Sequence, residues 1–199
     1  MNKEIKISQE NALNAYNNAS AEGKELLEHL IGKEVFMPKD ITERIKTFDD
    51  VLHEVSRLAE AGDDDAADLL ADYESNSDNI MMKETVAYMK LCLIASALNE
   101  GWKPKFTTNE YRWFPWFKLF TQKELDDMDD EKKSRVLLRS IGNASPYGGV
   151  AYVNSDYGPS NTNAYLGMRL AFKTQELAKY AGKQFLDIWA DYVFKPKEK

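Results

Sequence analysis

The stretch Lys83 to Asn99, KETVAYMKLCLIASALN, constrains the fold most. Val86, Met89, Leu91, Leu93, Ile94, Ala97 and Leu98 fall around most of a helical circumference, so this helix has no wholly polar side and must be packed from several directions. Gly101 is placed to end it, and Pro104 prevents its continuation. No apolar run approaches the ~20 residues needed to cross a bilayer, and MNKEIKISQEN has no signal-peptide core. The reading is a cytoplasmic protein with no membrane partner.

The surrounding chain supplies helices for such a core. Ser8 caps a helix carrying Ala12, Leu13, Ala15, Tyr16 and Ala19; Ser20 caps a second, with Leu26, Leu27, Leu30 and Ile31, that stops at Gly32. Thr47 opens an amphipathic helix with Val51, Leu52, Val55, Leu58 and Ala59, and a short helix is predicted over 66–73. Thr121 and Glu124 form a capping box for a helix to about Lys132. Thr174 caps a long final helix bearing Leu177, Tyr180, Ala181, Phe185, Ile188, Trp189 and Tyr192.

Between them the period changes to two. Arg135–Ile141, Gly149–Asn154 and Asn163–Phe172 read as three antiparallel strands whose apolar face takes the final helix. WKPKFTTNEYRWFPWFKLF, residues 102–120, fits no helical period, and Pro115 argues against a central strand, so it reads as an irregular extended segment. The fold class is therefore α+β: a helical N-terminal part, a small three-stranded antiparallel sheet and a long C-terminal helix. Composition divides the same way. Residues 1–100 hold 10 basic, 21 acidic and 5 aromatic side chains, and residues 101–199 hold 16, 12 and 18. That contrast suggests an acidic helical region over 1–101 and an aromatic α+β region over 102–199, packed as one domain.

Chemistry-bearing patterns are few. Cys92 is the single cysteine, which excludes an internal disulfide or a CxxC pair; between Leu91 and Leu93 it reads as a buried thiol. His29 and His53 each stand beside an acid on a helix and read as surface residues. The acidic runs Asp63-Asp64-Asp65 and Asp126–Glu131 lack the spacing of a calcium loop and read as helix starts. No phosphate loop, dinucleotide fingerprint, zinc-protease motif or nucleophile elbow occurs. No enzyme activity, cofactor or metal is expected, although catalytic carboxylates dispersed along the chain would escape such a search.

Two features point to binding. Trp113 and Trp116, with Tyr111 and Arg112, have the stacking chemistry of a ligand surface, against the alternative that they fill the core. Arg139, Tyr152, Tyr165 and Arg169 fall on the predicted solvated face of the sheet, beside the polar loop 154–161, in a composition typical of recognition surfaces. The reading is a non-enzymatic interaction module with a protein partner. Its alternatives are a binder of single-stranded nucleic acid, opposed by the net charge of −7, and a carbohydrate or receptor binder resembling C-type-lectin-like modules.

Three stretches, GKEVFMPKDITERIKTFDDV (32–51), LIASALNEGWKPKFTTNEYRWFPWF (93–117) and GMRLAFKTQELAKYAGKQFLDIW (167–189), resemble a group of gut Bacteroidetes proteins without assigned activity, found among phage and mobile-element genes. The resemblance implies a phage-related setting and transfers no site residue.

Overall fold

A computed structural model describes residues 6–79, 83–139, 148–160 and 169–193. The chain separates into two compact units, Met1–Arg44 and Ile45–Lys199. The larger unit spans residue 101 and joins acidic helices to the aromatic half.

In the first unit, α1 (Gln9–Asn17) and α2 (Ala21–Ile31) begin where the Ser8 and Ser20 side chains accept from the amides of Asn11 and Gly23. α2 stops at Gly32, whose φ of 99° favours glycine. A 3-10 turn over Lys33–Val35 and α3 (Ile41–Arg44) follow. The Tyr16 ring stacks on Phe36 at 4.3 Å, and its hydroxyl donates to Glu28.

The second unit is built around α6 (Lys83–Asn99), which lies where its sequence predicts. It packs against α4 (Phe48–Glu60), α5 (Asp64–Asn76), α9 (Gln175–Gln184) and α10 (Leu186–Val193). Ala87, Leu91, Leu93, Ile94, Ala97 and Leu98 are all buried, each large one contributing about 1.5–3 kcal/mol. Val51, Val55 and Leu58 of α4 and Ala178, Ala181, Trp189 and Ala190 of the C-terminal helices complete this core.

The α+β class stands, and among the described residues the sheet is antiparallel with three strands, but its membership differs from the predicted one. β1 (Tyr111–Thr121), β2 (Leu137–Arg139) and β3 (Gly148–Pro159) are ordered β1-β3-β2. From Tyr111 onward the aromatic segment is thus a strand, while residues 102–110 are irregular, as predicted. Pro115 is accommodated because β1 is at the edge, where a missing N–H breaks no ladder. β3 continues through the predicted loop to Pro159 because β1 pairs with it over its whole length. Of the predicted strand Asn163–Phe172, residues 163–168 lie outside the described set. The remainder makes only a bridge, in which Trp113 and Phe172 exchange both backbone hydrogen bonds at 2.9 and 2.7 Å. Trp116 faces Asn154 while Phe117 faces Tyr152, so Val153 is an extra residue, a bulge.

Other bounds shift in similar ways. α5 is longer than predicted. The helix after Thr121 divides into α7 (Gln122–Asp126) and α8 (Asp130–Lys133), because Asp129 starts a new cap. The C-terminal helix breaks at Phe185, whose φ of −114° and ψ of 35° are not helical. α9 packs on β1 and β3, as expected of the sheet's apolar face.

Candidate recognition site

The β1–β3 ribbon carries aromatic rings on both faces. Strand alternation puts Tyr111, Trp113 and Pro115 on one face with Tyr157 and Ser155, and Phe114 and Trp116 on the other with Asp156 and Asn154. On the first face the Tyr157 ring meets Tyr111 edge-on at 5.1 Å and lies 4.7 Å from Trp113. Such ring pairs add about 0.5–1.5 kcal/mol beyond their burial and fix the rings in place. Even so, Tyr111 is 47%, Tyr157 53% and Trp116 51% exposed. Further along, α9 covers the first face: Tyr152 is half-buried, with its hydroxyl 2.9 Å from Ser155 Oγ and Lys183 Nζ 5.5 Å from its ring.

A loop is strapped to the same end of the ribbon. Ser160 follows the last residue of β3, is 1% exposed, and accepts from the Thr107 amide at 2.8 Å while its hydroxyl donates to the Thr107 carbonyl at 3.0 Å. Its own amide donates to Glu110 at 2.7 Å, and the Glu110 carboxylate accepts from the Lys105 amide. Phe106 stands between these fixed points, 64% exposed and with a φ of 56°.

The residues expected on a common solvated face are not gathered there. Tyr152 lies under α9. Arg169 lies instead at a cleft of about 370 Å³ lined by α5 and α6, with Asp65, Asp68, Asp72 and Cys92. Arg139 ends β2, opposite Gly148. Tyr165 lies outside the described residues. Trp113 and Trp116 share a strand but face opposite ways, Trp113 partly covered and Trp116 open. Tyr157 and Phe106 complete the exposed aromatic end. Tyr157 was concealed by the expectation of a loop there, and Phe106 has no local pattern that announces exposure.

The cleft is electrostatically mixed. Lys103 Nζ lies 2.6 Å from Asp65 and 3.2 Å from Asp63, and this hydrogen-bonded pairing holds the Asp65 carboxyl below and the Lys103 ammonium above their ordinary values. Burial pushes the Cys92 thiol up, opposed by the neighbouring Tyr88 hydroxyl, so the thiol lacks the thiolate character of a nucleophile. Burial likewise pushes Tyr88 up to about 12. Among the described residues, no group of three His, Cys, Asp or Glu could hold a metal ion, and no helix is long and apolar enough to cross a membrane.

No protein-family model, no curated protein and no solved structure matches the chain.

Proposed function

We propose that the protein is a non-enzymatic binding module of the cytoplasm that takes a protein partner at the aromatic end of the β1–β3 ribbon. The observation that carries this reading is the half-exposed state of Tyr111, Trp116 and Tyr157 on paired strands. Large rings in water forgo the stabilisation of burial, and Tyr and Trp are the residues that most often dominate binding energy. Because rings stand on both faces of the ribbon, a concave protein surface meets them better than a flat ligand. The resemblance to phage and mobile-element proteins fits a partner of phage or host origin.

A second reading, a glycan, draws on one pair in the strand register: Trp116 lies directly across the ladder from Asn154, placing a stacking ring opposite an amide able to bond hydroxyls. Nucleic acid draws less support, since Asp156 sits two residues from Asn154 on that face and the chain carries −7 overall.

The test compares the wild-type chain with Trp116→Ala and Tyr157→Ala combined, each immobilised and challenged with native-host lysate, alongside a glycan array. The expected result is a protein retained by the wild type and lost by the variant at unchanged melting temperature. Equal retention by both removes the ribbon end as the site, and an array signal lost with Trp116 favours the glycan.

A further inference from the structure

We propose that Phe106 is the anchor of this interface, a side chain that seats in an apolar pocket of the protein partner. This rests on the binding reading above and adds a residue outside the ribbon. The left-handed region is disfavoured for any residue with a Cβ, and a bulky residue there needs an explanation. The other non-glycine residue at positive φ among the described residues, Glu100 at 52°, has one: it follows the last residue of α6, where a left-handed residue closes the helix, and the Gly101 amide returns to the Ser96 carbonyl. Phe106 ends no helix.

Its conformation is instead imposed from both sides. The amide before it is held by the Glu110 carboxylate, and the amide after it by Ser160, itself buried. The bonds that fix the loop turn the Phe106 ring outward, where no aromatic ring or cation among the described residues packs on it. An apolar ring held in place before binding loses little freedom on association, which is what an anchor requires.

Local charge narrows the partner. Glu110 is engaged inside the loop, whereas the exposed Lys105 beside Phe106 makes no ion pair among the described residues. The pocket that fits is therefore apolar at its base with a carboxylate at its rim, since a matching charge favours encounter and register.

The experiment places p-benzoyl-phenylalanine at position 106 of the full chain, crosslinks it in the native host, and competes the crosslink with unlabelled wild-type or Phe106→Gly chain. One protein crosslinked at an apolar pocket is expected, with Phe106→Gly competing roughly thirtyfold less well than wild type, the size of a hot-spot aromatic. Its melting temperature should equal or exceed the wild type's, because glycine relieves the left-handed backbone. Equal competition by Phe106→Gly, a lower melting temperature, or crosslinks to nucleic acid, glycan or a second copy of the chain would each overturn the anchor. If Phe106→Gly retains the partner that the Trp116 and Tyr157 variant loses, the anchor falls and the binding reading survives. If the wild type retains no protein, both fall.

Discussion

Gly182 of α9 is pressed so closely on Tyr152 of β3 that a Cβ there would stand 2.6 Å from the ring's Cδ2, and 2.7 Å from Pro115 Cβ. The absent side chain is what lets the helix lie on the ribbon. Gly182→Ala should gain about 0.5–1 kcal/mol from helix propensity and lose about 1–3 kcal/mol from overpacking. The clash prevails because a ring and a proline are the obstacles and neither has a flexible end to move aside. A fall in melting temperature of a few degrees is expected by calorimetry. A rise would mean that the helix and ribbon are not in close contact.

Asn99 joins α6 to the chain before α9. Its side-chain amide donates to the Ala171 carbonyl at 2.8 Å, and its oxygen accepts from the Lys173 amide at 2.9 Å, with the residue 5% exposed. Asn99→Leu keeps comparable bulk but leaves both backbone groups without their partner. At about 1–3 kcal/mol for each orphaned group, the denaturant midpoint should fall clearly at an unchanged slope. A midpoint within error of the wild type would show that water replaces the amide.

The helices were legible because their signals are local. Ser8, Ser20, Thr47, Thr121 and Thr174 each accept an amide hydrogen bond as N-cap, and the all-round apolar pattern of α6 placed it within the core. The sheet was only partly legible, since Pro115 is unfavourable in a central strand and acceptable in an edge strand, and pairing order is not written in β1 itself. Arg169 alternates correctly for a sheet face, yet the bridge of Phe172 to Trp113 brings its segment beside α6 and the acidic cleft. The exposed position of Phe106 depends on Ser160, more than fifty residues away in sequence, and no window on the sequence contains both.

Cys92 gives a direct measure of core opening. Cys92 is 2% exposed although it borders the cleft, and burial raises its thiol, so thiolate is scarce and a disulfide reagent reaches it slowly in the folded chain. Labelling by Ellman's reagent at pH 8 should proceed far more slowly than in the denatured protein and accelerate in Gly182→Ala and Asn99→Leu, whose changes open the same unit. Rapid stoichiometric labelling of the wild type would contradict the buried position on α6.

Acid should weaken the fold through its caps. The Asp50 carboxylate accepts from the amides of Lys46 and Thr47 at 3.0 and 2.8 Å, and these bonds, Lys46 foremost, hold it below its ordinary 3.8. Glu124, through the Thr121 amide, and Asp129, chiefly through Lys132, are lowered in the same direction. A carboxyl whose folded value lies below its unfolded value stabilises the fold fully above the unfolded value. That contribution disappears as pH falls through the folded value. These groups therefore leave stability level from pH 7 to about pH 5 and remove it progressively below about pH 4. Asp50→Asn should be less stable at pH 7 and lose less on acidification, so that its denaturant midpoint converges on the wild type's at low pH. Two curves that stay parallel across that range would rule out the α4 cap as an acid-sensitive element.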